Sequence, residues 1–240
     1  VGLSVMSLYT SVPDRAGLIG LMIDEAVGRT EMPPHEGAVR ERLRGISRVL
    51  WDEYHRHPWL LDAQRHRPWI GPHVSARYEW ELEAVDGSGL DDIAMDHVVA
   101  LIEAHAAASA ADSIAARAVE EESGQSDLEW WSVNAPVLER VMPPGGFPVS
   151  GRVGSAVGRE YQAMTSPLAV YEFGLDVILD VWRAIDQAVS QGTSLEEFQR
   201  AVTDKLERAW GGTVQNPGHR IETIYRTNVQ SAYSAGRWQQ

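Results

Sequence analysis

Residues 90–122 read LDDIAMDHVVALIEAHAAASAADSIAARAVEEE, and they are the strongest indication of helical structure because they are rich in alanine and almost free of helix breakers. Apolar and small residues recur along it at intervals of three and four, the spacing of one face of an α-helix. This stripe consists of Ile93, His97, Ala100, Leu101, Ala104, Ala108 and Ala111. We therefore predict a long helix whose small side chains let neighbouring helices approach closely.

Helical patterns continue on both sides of this stretch, separated by proline and glycine. Asp14 is placed to cap a helix that ends near Gly28, and further helices are predicted over residues 37–57, 58–67, 73–85, 126–141 and 167–190. Residues 142–158, which include three spaced glycines, are predicted to be irregular, and two more helices are predicted from Ser194 and Arg220. No strand pattern is present, so the predicted fold class is all-α.

Composition and charge exclude several classes of protein. The chain has 240 residues and no cysteine, which excludes disulfides, thiolate metal sites and a cysteine nucleophile. The net charge is −13, and because residues 183–240 carry seven basic and six acidic side chains, residues 1–182 hold a net charge of −14. Such an acidic body repels phosphate and is a poor nucleic-acid surface by itself. No run of ~18 uninterrupted apolar residues is present, so we expect no membrane span.

The sequence lacks the residue patterns typical of enzymes and metal sites. The G-x-S-x-G, H-E-x-x-H and Walker motifs are absent. His55 and His57 are two residues apart and therefore point to different faces of a helix, while His97, Glu103 and His105 are too far apart for one compact site. We expect a protein that is not an enzyme and has no catalytic residue, no metal and no cofactor.

Several segments resemble the TetR family of transcriptional regulators. Near the start these are LSVMSLY (3–9), VP (12–13) and LIGLMID (18–24), followed by HPWLL (57–61), IGPH (70–73) and YEFGLDVILD (171–180). They occur in the order and spacing of the tetracycline-repressor-type members. The resemblance implies that residues 14–181 form an all-α regulatory domain that binds an unidentified small-molecule effector, forms a homodimer and works in the cytoplasm.

The resemblance also implies that residues 1–13 are the remnant of a helix-turn-helix recognition helix. In the family, further helices precede this segment and bury the recognition helix. We therefore expect DNA binding only if those helices are restored. The residues that would face DNA are Ser4, Met6, Ser7, Tyr9 and Thr10.

A set of tryptophan and histidine residues forms the candidate effector pocket. Aromatic walls with a few polar anchors suit a small-molecule site. The set consists of Trp51, His55, Trp59, Trp69, Trp80 and His97. The alternative is that these side chains are ordinary core and helix-packing groups.

The helix predicted over residues 168–185 is the candidate dimer interface, because in the family the last two long helices of each subunit form a four-helix bundle. Its apolar stripe consists of Phe173, Val177, Ile178 and Val181, to which Ala104, Ala108 and Ala111 of the long helix can contribute. The alternative is a helix buried within one subunit.

Residues 182–240 resemble a different class of protein. The segments TSLEEF (193–198) and RIETIYRTNVQSAYSAGR (220–237) resemble phage Mu-type head-morphogenesis, or minor head, proteins. The alternative is therefore that the protein is a structural phage protein whose function depends on this helical C-terminal extension. A gene fusion, an engineered protein and a machine-generated sequence all fit such a junction.

Overall fold

The computed structural model describes residues 12, 14–63, 71–143, 145–191, 197 and 200, with the side chains of residues 184–191 left out of the description. Every helix or strand assigned within these ranges is an α-helix, which confirms the all-α prediction. The helices are α1 (Arg15–Gly28), α2 (Val39–Arg56), α3 (Trp59–Ala63), α4 (Pro72–Glu83), α5 (Asp92–Ser123), α6 (Asp127–Val141), α7 (Pro148–Tyr161) and α8 (Pro167–Gln191). The final predicted helix, from Arg220, and the DNA-facing residues 4–10 lie outside the described residues.

Helix α5 forms the centre of the domain. It begins where the Asp91 side chain accepts a hydrogen bond from the backbone N–H of Ala94 at 2.8 Å, and it ends at Gly124, whose φ of 64° is left-handed. Its buried side chains pack against α2 and α8. They are Ala94, Val99, Ile102, Ala106, Ala107, Ser109 and Ala110. Because most of them are small, the two neighbouring helices lie close to α5.

The predicted stripe on α5 has the correct spacing but lies on the outer face of the helix. Ile93 and Leu101 are 67% and 52% exposed, and His97, Ala104 and Ala108 are exposed as well. Alanine occurs on both faces of α5, so apolar spacing alone does not distinguish the inner face from the outer one. Nothing in the part of the chain that the structure describes covers this outer face.

The same helix is long and apolar enough to cross a membrane when only length and composition are considered. Its inner face nevertheless belongs to the main core, where Val99 and Ile102 are almost fully buried together with residues of α2 and α8. A helix with this packing is the central helix of a folded domain.

Helix α8 is held against α2 and α5 by both apolar and charged contacts. Tyr171, Leu175, Leu179 and Trp182 recur at helical spacing and are all buried. Gly174 faces the His105 ring on α5 so closely that a Cβ atom at this position would overlap the ring. The absence of a side chain at this position therefore sets the distance between α5 and α8.

Two arginines of α2 also bind the exposed edge of α8. Arg40 donates to Asp180 at 2.6 Å and to Asp176 at 2.9 Å. Arg44 donates to Glu172 at 3.2 Å and also to Asp176. These pairs are partly exposed, so each contributes little stability by itself, but as a network they fix the register of α8 along α2.

A buried carboxylate joins α1 to the start of α4. Asp24 on α1 is 6% exposed, and its Oδ1 accepts hydrogen bonds from the backbone N–H groups of His73 and Val74 at 3.0 and 2.9 Å. Its Oδ2 lies 3.0 Å from His73 Nδ1. Asp24 thus caps a helix from a distant part of the chain. Gly71 passes directly over this carboxylate, where a Cβ atom would overlap it.

Residues 142–158 were predicted to be irregular, and this prediction is wrong for most of the segment. Helix α7 spans Pro148–Tyr161, with proline in its first turn, and contains Gly151, Gly154 and Gly158. Glycine lowers helix stability without forbidding a helix. Neither α6 nor α7 contains a buried residue in the described structure. Both helices therefore stand on the surface of the single chain.

Candidate functional site: buried acids beside α4

A charged pair lies in the core between α2 and α4. Arg77 Nη2 donates to Glu53 Oε1 at 3.0 Å, and Arg77 Nη1 donates to Glu53 Oε2 at 3.3 Å. The two side chains are only 6% and 4% exposed, and Arg77 Nε has no hydrogen-bond partner. Desolvation of two charges costs several kcal/mol per ion, so such a pair is weak evidence for stability. It shows instead that this part of the core is polar.

Glu81 lies one turn after Arg77 on the same face of α4, and its side chain is fully buried. Neither of its carboxyl oxygens meets a hydrogen-bond donor. Burial, and then the negative charge of Glu103 on α5, raises the pKa of Glu81 to about 9, against the opposing charge of Arg77. Burial also raises the pKa of Glu103. At neutral pH Glu81 is therefore protonated, and it donates a hydrogen bond to the Glu103 side chain.

The neighbouring Trp80 fixes the loop between α1 and α2 against this end of α4. Trp80 Nε1 donates to the carbonyl oxygen of Pro33 at 2.9 Å. The His35 ring stacks on the indole with 4.8 Å between ring centroids, and His35 Nε2 lies 2.6 Å from the Trp80 carbonyl oxygen. The Arg77 guanidinium carbon lies 6.0 Å from the Trp80 ring centroid. The indole is therefore held in place next to the buried acids.

A second cluster, of stacked aromatic rings, joins α2, α5 and α8. The Tyr171 ring lies 4.3 Å from Trp51 and 5.6 Å from His105, measured between centroids. Its hydroxyl lies 2.9 Å from Ser47 Oγ, and burial raises the pKa of Tyr171. His105 Nε2 lies 2.9 Å from the Tyr171 carbonyl oxygen. Because these polar groups have partners inside the protein, we interpret this cluster as a contact that packs the three helices together and not as a binding site.

The structure separates the remaining predicted pocket residues. Trp51 and His55 stack in the second cluster, where His55 also bonds Ser113 on α5. Trp59 is half-buried on α3 against the core, and His97 is on the exposed face of α5. Trp69 lies outside the described residues. Trp80 is thus the one predicted residue that the described structure places beside the buried acids.

The charged residues of the site were missed because charged side chains are normally assigned to the surface. One signal was available. Glu53 continues the buried stripe of Leu43, Ile46 and Leu50 at helical spacing, so its carboxylate points into the core. A charged residue at such a position marks either a buried ion pair or a site.

The predicted dimer residues occupy two environments on α8. Phe173 is 54% exposed, whereas Val177, Ile178 and Val181 are half-buried. Ile178 also contacts the core of the same chain. The uncovered part of α8 adjoins Leu168 and Val170, which are both 56% exposed.

The described residues form an all-helical domain with a buried ion pair in its core and exposed apolar side chains on α5 and α8. Residues 33–184 match the family described as tetracyclin repressor-like, C-terminal domain. This match covers more than half of the chain, and the protein belongs to that family. The predicted resemblance of this part of the chain to TetR-type regulators is confirmed.

Two relatives extend the comparison. The chain is 30% identical over 183 residues to the HTH-type transcriptional repressor DrrR1 of Streptomyces coeruleorubidus, covering 75% of this chain and 65% of that protein. It is also 32% identical over 80 residues to the putative capsid assembly protein F of Escherichia phage Mu, covering 28% of this chain and 18% of that protein. The chain therefore spans slightly less than two thirds of the repressor and a small part of the phage protein.

Proposed function

We propose that this chain is the regulatory domain of a TetR-type transcriptional repressor, which binds a small effector in its interior and pairs with a second copy of itself. Family membership and the similarity to a named repressor support the class. The observation that supports effector binding is Glu81, a fully buried carboxyl group whose two oxygens accept no hydrogen bond from the residues that the structure describes. Buried polar groups are normally satisfied, and an exception calls for an explanation.

An effector that fills the interior stabilises the folded chain in proportion to its occupancy. A ligand at one hundred times its Kd adds about 2.7 kcal/mol to the free energy of unfolding. We expect thermal melts against a panel of small aromatic and cationic compounds to reveal at least one that raises Tm in a concentration-dependent manner. If no compound raises Tm while the chain is folded, the effector proposal fails.

A second copy is the proposed partner of the uncovered apolar surface. This surface includes Phe173 on α8, Leu101 on α5 and the unburied helices α6 and α7. Monomeric proteins rarely expose large contiguous apolar patches. The proposed interface is therefore the outer faces of α5 and α8, to which the half-buried Val177, Ile178 and Val181 contribute.

The mass of the chain in solution tests this pairing. Sedimentation equilibrium is expected to give a dimer, and Phe173→Arg is expected to shift it toward the monomer because it places a charge in the apolar interface. Leu21→Arg on α1 is the matched control, since Leu21 is 47% exposed and α1 packs mainly against α3 and α4. A monomeric parent chain, or equal dissociation by both variants, would refute the pairing.

In a full-length repressor of this kind, effector binding alters DNA affinity by shifting the population of two arrangements of the dimer. A cytoplasmic, non-enzymatic role follows from the same proposal.

A second candidate function rests on the partial similarity to the phage capsid assembly protein. In this alternative the residues from 182 onward bind a portal or scaffold protein of a phage head. Co-sedimentation of the full chain with assembled portal rings supports it if a chain ending at residue 182 fails to bind. Equal binding, or no binding, by the two chains contradicts it.

A further inference from the structure

Glu81, which lies beside the half-buried Glu103, has more acceptor atoms than the surrounding protein satisfies. The neighbouring cation, Arg77, is engaged by both oxygens of Glu53. Glu81 has two buried oxygens with no donor. Buried apolar residues follow Glu81 just beyond the end of α4 and flank Glu103 on α5: Ala84 and Val85, and Ile102 and Ala106. The Glu81–Glu103 pair thus has both apolar side chains and the Arg77–Glu53 ion pair around it.

We propose that this pair is the anchor for the protonated amine of an apolar organic effector, whose N–H groups donate to Glu81 and Glu103. This inference rests on the proposed effector function and names the chemical class of the ligand. An ammonium group supplies the donors and the positive charge that the site lacks. A quaternary ammonium supplies the charge without donors, and an alcohol supplies a donor without the charge.

The groups that face Glu81 make such binding dependent on pH. Glu103 on α5 and Glu53 on α2 raise its pKa, Arg77 on α4 lowers it, and burial raises it most. The free site therefore holds a proton at neutral pH, which leaves to solvent when the ammonium group forms its ion pair with the carboxylate. An alkyl ammonium keeps its own charge over this range. Binding accordingly releases a proton, and affinity rises by up to about tenfold per pH unit between pH 6 and 8.

The test is calorimetric titration of the full chain with 2-phenylethylamine, its N,N,N-trimethyl analogue and 2-phenylethanol. We expect the primary amine to bind about tenfold or more tightly than the other two. Repetition in buffers of different ionisation enthalpy should show release of close to one proton per ligand at pH 7. Glu81→Gln should abolish this preference and the proton release, whereas Glu79→Gln, an exposed acid on the same helix, should preserve both.

The outcomes separate this inference from the proposed function. If 2-phenylethanol binds as tightly as the amine, and equally well to Glu81→Gln, the chain has an effector site but no cation anchor. If none of the three probes binds, the cation anchor is refuted, and the wider compound panel alone decides effector binding. Glu103→Gln provides an independent variant should Glu81→Gln fail to fold, and it is expected to weaken amine binding in the same direction.

Discussion

Replacement of Glu81 by glutamine should make the protein more stable at neutral pH and less sensitive to pH. Glu81 is fully buried and its pKa is raised from about 4.5 to about 9. In the unfolded chain the group ionises near its ordinary pKa, so between pH 5 and 8 folding requires it to take up a proton. Stability is therefore highest below the unfolded pKa and is lost as pH rises toward the folded pKa, by about 1.4 kcal/mol per pH unit. From pH 5 to pH 7 the loss amounts to about 3 kcal/mol.

Glutamine keeps the shape of the side chain and removes this proton uptake. The assay is urea unfolding at pH 5, 6, 7 and 8, followed by tryptophan fluorescence, for the parent chain, Glu81→Gln and the exposed control Glu79→Gln. We expect the free energy of unfolding of the parent and the control to fall steadily with pH relative to that of Glu81→Gln. If the three proteins show parallel pH profiles, Glu81 is not buried as a protonated acid and the account of the site is wrong.

Three further predictions concern the packing around the site. Arg77→Met should lower the free energy of unfolding by about 3–5 kcal/mol because it leaves Glu53 buried without its counter-ion, and the double variant with Glu53→Gln should recover a large part of this loss in urea unfolding. Asp24→Ala should cost about 2 kcal/mol by removing the cap of α4, whereas the exposed neighbour Glu25→Ala should cost less than about 0.5 kcal/mol; equal losses would contradict the capping role. Gly174→Ala should cost about 1–3 kcal/mol because its Cβ forces α5 and α8 apart, and an unchanged thermal midpoint would show that the histidine ring it faces moves aside freely.

The helices of this protein could be predicted from sequence where caps and breakers agree with apolar spacing. Residues 90–122 were predicted as one helix, and the structure places it at Asp92–Ser123 between an aspartate cap and a left-handed glycine. The buried face of the same helix could not be predicted, because alanine is compatible with either face. Residues 148–161 were missed as a helix because glycine spacing was taken as a signal for a loop, although the first-turn proline favours a helix start.

The candidate site was harder to predict than the fold. Trp80 was recognised as an aromatic wall, but its neighbours Arg77 and Glu81 have the four-residue spacing of an exposed helix pair. Only the ion pair of Arg77 with Glu53 on α2 and the packing of α4 against α5 show that these charges are internal. Whether a charged side chain is buried depends on the residues that pack against it. For Arg77 and Glu81 these residues are on α2 and α5, in distant parts of the sequence.

The cap that Asp24 provides has a mechanical consequence. Helix α4 carries Arg77 at its middle and Glu81 near its C-terminal end. Three hydrogen bonds tie its N-terminal end to one carboxylate on α1. A ligand that displaces α4 along its axis must either break this joint or drag α1 with it. Because Gly71 leaves no gap over the carboxylate, the joint has little slack. We therefore expect α1 and α4 to move together, so that a small displacement of α4 in the interior also displaces α1 at the N-terminal side of the domain.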